Sequence, residues 1–277
     1  MQRLLPNLGA LVLVAVLVGA VVWLRPEAPP PAPPPVRDVV LQYADGSELW
    51  NSGEGRPRSH LERRVLAELT DLGLSLDRLR AAGGVVRTTV DAKAQTMAAA
   101  VVGRLVAVDR GDRAASVTAV EPASGGVRVY VGLSRASDPG GEPEELTPEV
   151  VRPFTDAGAP EVVRTMMSPL EVTAAYAALA GGGVRQQPHF VTSVTGADGS
   201  QLYRRTGAPE VVVDRLVAER VSAQLKEKPG CGGTSCVTGA HPWTVGYTPQ
   251  LAVAVFVDQT TDTDLTRVVW QEFFASL

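Results

Sequence analysis

The amino-acid sequence predicts a mixed α/β domain, and three observations carry that prediction. Short runs of alternating apolar residues recur along the chain, which is the pattern of half-buried strands. Between them lie segments with apolar residues at helical spacing, bounded by capping residues and glycine stops. The elements alternate without any internal repeat, which excludes solenoids and propellers. With 277 residues and 45% hydrophobic content, the chain is long enough to bury a sizeable core.

In chain order, Val39 to Tyr43 and Glu48 to Trp50 flank Asp45-Gly46 and predict a small hairpin. Leu61, Val65, Leu66, Leu69 and Leu72 have helical spacing. Ser75 is placed to cap a short following helix that stops at Gly83-Gly84. Val85 to Val90 reads as a strand, and Asp91 as the cap of an alanine-rich helix to about Leu105. Ser116 to Val120 and Val127 to Leu133 form a second predicted hairpin about a Pro-Ala-Ser-Gly turn. Residues 134–147, rich in Gly, Pro and acids, read as loop. Ser168, Pro169 and Glu171 occupy the N-cap, N1 and N3 positions of a strong helix stopped by Gly181–Gly183. A strand pair about Gly196–Gly199 follows, then a helix from about Glu210 to Lys226. Strands at Trp243–Tyr247 and Leu251–Asp258 and a final helix Leu265–Leu277 complete the domain.

The compartment is written in the first 37 residues. Leu8 to Leu24 is a 17-residue run without a charge, near the lower limit for crossing a bilayer core. Trp23 and Arg25 stand where interfacial anchors help. We therefore expect residues 1–7 as a cytoplasmic tail and 8–24 as a transmembrane anchor. The alternative is a signal peptide cleaved near Val18-Gly19-Ala20, but the apolar run continues past that point. Residues 25–37 contain PEAPPPAPPPV, a stiff polyproline spacer that would hold a domain off the membrane on its extracytoplasmic side. The net charge of −4, with no long basic run, argues against a nucleic-acid partner.

Cys231 and Cys236 are the two cysteines of the chain, with Gly232 and Gly233 between them. Outside the cytoplasm they would close a small disulfide loop, with free thiols as the alternative. Zinc would need four ligands there and His241 is the one nearby imidazole, so neither a metal nor a cofactor is expected.

Four stretches resemble the transpeptidase domain of bacterial penicillin-binding proteins of the bifunctional type. VVRTTVDAKAQTMAAAVV (85–102) is similar to that domain's opening strand and helix, and VTAVEPASGGVRVYVGL (117–133) to its first core hairpin. SPLEVTAAYAALAGGGVRQQPHFVTSVTGADGSQLYRR (168–205) resembles the late helix and following hairpin. WTVGYTPQLAVAVFVD with the last helix resembles the closing strands and C-terminal helix. The resemblance implies a central antiparallel sheet covered by helices, as in the penicillin-binding and serine β-lactamase-like fold. VVLQYADGSELW (39–50) resembles the start of the glycosyltransferase domain of such proteins, and residues 61–84 the joint between domains. The division expected is therefore a remnant hairpin and helical joint at 38–84 and a truncated transpeptidase-like domain at 85–277.

The family's chemistry rests on S-x-x-K, S-x-N and K-T-G, which supply a serine nucleophile, its amine base, a second proton carrier and a carboxylate-binding edge strand. No serine lies three residues before Lys93, Lys226 or Lys228, and both asparagines, Asn7 and Asn51, precede the domain. The best K-T-G candidate is Val237-Thr238-Gly239, with valine in the lysine's place. An alternative alignment sets Gly239-Ala240-His241-Pro242-Trp243 against the connector after K-T-G and makes that match accidental. Glu149-Val-Val-Arg152-Pro-Phe-Thr155 is either a decayed S-x-x-K-P-F-T or an ordinary helix ahead of Ser168. An arginine cannot serve as a neutral base near pH 7, because its pKa lies above 12. The stretch between Asp138 and Ser168 is also far shorter than the family's helical region. His60, His189 and His241 lie in no nucleophile-elbow pattern.

The expectation is therefore a membrane-anchored pseudoenzyme without catalytic residues, acting as a binding or scaffolding factor among peptidoglycan-synthesis proteins. Two other readings stay open. One is an active serine D,D-transpeptidase or carboxypeptidase that binds penicillin through an unrecognised serine. The other is a degenerate gene product with no selected role.

Overall fold

Two five-stranded sheets and one almost fully buried helix organise the domain. The computed structural model describes residues 37–106, 114–133, 137–227, 234–258, 262 and 264–277. The apolar run 8–24, the spacer up to residue 36 and Cys231 lie outside the described residues. No helix among the described residues is long and apolar enough to cross a membrane.

The strands are β1 (Val40–Gln42), β2 (Glu48–Asn51), β3 (Val85–Thr88), β4 (Ala115–Val120), β5 (Val127–Gly132), β6 (Glu144–Glu145) and β7 (Met166–Met167). They continue with β8 (Val184–Arg185), β9 (Val191–Thr195), β10 (Gln201–Arg204), β11 (Glu210–Val211), β12 (Ser235–Ala240), β13 (Trp243–Tyr247) and β14 (Ala252–Val257). The α-helices are α1 (His60–Asp71), α2 (Leu76–Ala82), α3 (Ala92–Val106), α4 (Pro148–Asp156), α5 (Pro169–Ala180), α6 (Arg215–Lys226) and α7 (Leu265–Ser276).

One sheet runs β12-β13-β14-β4-β5 and is antiparallel throughout. Every residue of β4 and β14 is buried, because helices cover both faces. Val117 and Ala119 of β4 face the cluster formed with α3 and α7, whereas Val120 joins the cluster on the other side. The edge strand β5 is shielded by Gln95, whose side-chain amide bonds both the N–H and the carbonyl of Tyr130, at 2.8 and 2.9 Å. A glutamine standing in for a neighbouring strand closes this edge to pairing with other chains.

The second sheet, β10-β9-β3-β1-β2, is mixed, since β1 and β3 pair in parallel. The hairpin β1–β2 is therefore built into the same sheet as β3, and residues 36–277 form one compact unit. The stretch expected as a separate joint at 38–84 supplies two strands to this sheet.

Helix α5 packs on β14, β4 and β13 of the antiparallel sheet, with α6 and β8 beside it. Ten of its twelve residues are buried, so it is apolar all round rather than amphipathic. Its start is as anticipated: Ser168 and Glu171 form a reciprocal capping box and Pro169 occupies the first turn. A second capping box, Ser59 with Glu62, opens α1. Helix α6 begins at Arg215, capped by Asp214, and not near Glu210. Glu210 and Val211 instead pair with Arg185 and Val184 as the β11–β8 ribbon, a contact between residues distant in sequence. Residues 144–145, expected as loop, form the β6–β7 ribbon with Met166–Met167.

Glu68 on α1 ties that helix to β9. Its carboxylate accepts the N–H groups of Phe190 and Val191, at 2.7 and 3.2 Å. Burial outweighs these bonds and raises its pKa above the ordinary 4.5. The folded protein then holds this proton more tightly than the unfolded chain does. The stabilisation is full below pH 4.5 and is lost as pH rises through the raised folded value. Urea unfolding of the full-length chain across that window should show stability falling with pH, and Glu68→Gln should remove that part of the slope.

Candidate functional site

The two stretches that the sequence offers as candidates for degenerate motifs meet at one seam. Val237, Thr238 and Gly239 lie on β12, the edge strand of the antiparallel sheet. Helix α4, which carries Glu149 and Arg152, packs against β12. The helix turns Val150 and Phe154 inward, and both belong to the same buried cluster as Val237. Glu149 and Arg152, three residues apart, are exposed. Val237 itself is 1% exposed, Thr238 is half-buried and Gly239 has φ of +69° where the strand's register shifts before Ala240.

Aromatic packing closes the seam from behind. The Phe154 and Tyr176 rings meet edge to face at 5.1 Å, and Tyr176 tilts against Tyr247 at 6.2 Å. The Tyr176 hydroxyl donates to the Val150 carbonyl at 2.7 Å and so fastens α4 to α5. Burial holds this phenol far above its ordinary pKa, so it stays protonated. Above the seam, the Trp243 indole N–H donates to the Glu145 carbonyl at 2.9 Å and clamps the β6–β7 ribbon over the turn from β12 to β13. That turn contains His241-Pro242, whose peptide bond is cis.

A cavity of about 350 Å³ remains beside this turn, at the N-terminal end of α4. Its walls include Glu144, Glu145, Asp258, Pro148, Pro242 and Phe256. Three acids and no cation line it among the described residues. Burial, then Asp258 and Glu142, push the Glu144 carboxyl above its usual range. An acidic pocket of this kind repels carboxylates, the opposite of what a carboxylate-binding edge strand needs.

The described lysines stand elsewhere. Lys93 is exposed on α3, which covers the other face of the sheet, and Lys226 is exposed at the end of α6. Neither bonds a serine among the described residues; Lys228 lies outside them. His189 is buried, bonded through Nδ1 to the Gln187 carbonyl at 3.2 Å, and burial lowers its pKa, so it is neutral. His60 lies near Asp138 at 3.7 Å and Arg63 at 3.1 Å, beside Gly132 and Leu133 at the β5 edge of the sheet, whereas the seam is at the β12 edge. Cys236 is fully buried and is not a free thiol. Its neighbour across the hairpin is Gly246, where a Cβ would come within 2.5 Å of the Cys236 Cβ.

No protein-family model matches the chain. Penicillin-binding protein 1A of Mycolicibacterium smegmatis is 30% identical over 112 residues, covering 33% of this chain and 14% of that protein. Penicillin-binding protein 2D of Bacillus subtilis is 25% identical over 140 residues, covering 38% of this chain and 19% of that protein. Among solved structures, the penicillin-binding protein PonA1 of Mycobacterium tuberculosis superposes with a TM-score of 0.64 at 18% identity, over 78% of this chain and 90% of that one. Its homologues and structural neighbours are penicillin-binding proteins. The D,D-transpeptidase domain of a peptidoglycan glycosyltransferase from Eggerthella lenta also has a TM-score of 0.64, at 12% identity, over 87% of this chain and 98% of that one. The sequence matches span less than a fifth of either curated penicillin-binding protein.

The mixed α/β fold, with its antiparallel sheet and helices, matches that of the penicillin-binding transpeptidase domain. Reading the sequence missed β12 as a strand and missed both short ribbons. Alternation marks β13 and a continuous apolar run marks β14, but SCVTGA offers only small residues, so β12 had no comparable signal.

Proposed function

We propose that this chain is a membrane-anchored, extracytoplasmic penicillin-binding-protein-like pseudoenzyme that serves as a non-catalytic binding or scaffolding factor in peptidoglycan synthesis. The observation that carries the reading is the burial of Val237 against α4. Where the family pattern calls for a cation facing an open cleft, this chain has an apolar side chain in a closed core. The three carboxylates of the neighbouring cavity point the same way, since they disfavour an acidic substrate. Glu149 and Arg152 are read as part of an ordinary helix ahead of Ser168, with a decayed S-x-x-K pair as the alternative. The stretch between Asp138 and Ser168 is read as a truncated catalytic subdomain reduced to one nine-residue helix and a ribbon. Residues 8–24 are read as the anchor and Cys231 with Cys236 as a disulfide, in keeping with an oxidising compartment.

The test is purification of the full-length chain from membranes after mild cross-linking in the producing cells. Enrichment of peptidoglycan-synthesis proteins over an unrelated single-span control is the expected result. Equal recovery with the control, or loss of the chain from the membrane fraction on alkaline washing, would overturn the scaffold reading.

A further inference from the structure

At the opposite end of β13 from the acidic cavity lies a second, larger one of about 810 Å³. It opens between the end of α5, the β8–β11 ribbon, α6 and the start of β12. Its walls are largely apolar, from Leu179, Val184, Val213, Ala223 and Pro249. Val211, 77% exposed, extends the apolar surface to the mouth. A mostly apolar cleft of this volume is the usual form of a small-molecule site.

The polar groups inside are few, and most are already committed. Ser222 Oγ donates to the Ala218 carbonyl at 2.8 Å, so the Tyr247 hydroxyl, 2.8 Å away, is the donor to Ser222. Burial raises the Tyr247 pKa and keeps that proton in place. Ser235 Oγ donates to the Ser222 carbonyl at 2.8 Å. The guanidinium of Arg215 is paired with Glu219 at 2.9 Å. Lys226 is different. It lies four residues after Ser222 on the same helix face, lines the cavity, and has no partner among the described residues.

We propose that this cavity binds a compact organic carboxylate, with its apolar body against the Leu179, Val184 and Val213 wall and its carboxylate on Lys226. Among the described residues Lys226 is the one uncommitted cation at the edge of this apolar cavity, which selects a monoanion with an apolar body over a neutral analogue. The site is independent of the β12–α4 seam and of the scaffold reading.

The test uses the full-length chain in nanodiscs of neutral lipid, with empty nanodiscs as the blank. Titration calorimetry compares 4-phenylbutyrate with 4-phenylbutan-1-ol. Saturable binding of the acid is expected, at least about tenfold tighter than the alcohol, as a charge-assisted contact implies. Lys226→Met should erase that preference. Ala223→Trp, at an exposed helix position, should fill the cavity and abolish binding with the melting temperature unchanged. Equal binding of acid and alcohol, or acid binding insensitive to both substitutions, would overturn the proposal.

Discussion

Incubated with a fluorescent penicillin, the full-length chain is expected to carry no covalent label that survives denaturing electrophoresis. Acylation needs a hydroxyl whose proton is removed by a nearby neutral amine and an oxyanion that finds donors as it forms. At the seam the inward positions are Val150, Phe154 and Val237, and none of them can take a proton. An arginine offers no neutral amine to take the proton, and the carboxylate of Glu149 would give an anhydride rather than a stable acyl-enzyme. Removing one member of a catalytic unit typically costs several orders of magnitude in rate, and the S-x-x-K, S-x-N and K-T-G motifs are all missing from the sequence. Installing lysine alone by Val237→Lys should restore no labelling. It should also destabilise the fold, because an unpaired charge would enter a buried cluster. A hydroxylamine-sensitive band on the unmodified chain would show that an acylating serine exists and would end the pseudoenzyme reading.

Trp243→Ala is expected to lower the free energy of unfolding by about 3–5 kcal/mol, the usual range for emptying a buried aromatic site. The indole is fully buried and packs on Phe256 with centroids 4.7 Å apart. Its N–H also holds the Glu145 carbonyl, a contact across 98 residues of sequence. Chemical denaturation compares Trp243→Ala with Trp243→Phe. The phenylalanine variant keeps most of the packing and removes the hydrogen bond, so it should cost less, about 1–2 kcal/mol. Amide exchange in β6 and α4 should accelerate in both variants, because the clamp on the ribbon is gone. If both lose equally little, the ribbon is held by other contacts and the closed seam does not depend on Trp243.

Much of the fold was legible because its signals are local. The Ser168–Glu171 box, the Gly83 stop and the β4–β5 hairpin each depend on residues within a few positions of one another. The candidate site was legible as a set of absences: no serine-to-lysine spacing, no asparagine after residue 51, no lysine before a Thr-Gly. Its geometry was not. That α4 packs against β12, that Val237 points into the core, and that Glu144, Glu145 and Asp258 share a cavity all depend on contacts between distant segments. The start of α6 was misplaced for the same reason, since Glu210 and Val211 pair with residues some 25 positions away.

The sequence alone determined the caps, the alternation of the central strands, the apolar stretch with its proline spacer, and the missing motif residues, because each is a property of a short window. Tertiary structure decided which strands share a sheet, why α5 is apolar on all sides, and that the seam between α4 and β12 is closed rather than open. The physical reason is that burial is a collective quantity. Whether Val237 faces solvent, substrate or core depends on what α4, α5 and the Trp243 clamp place against it, and no window around residue 237 contains them.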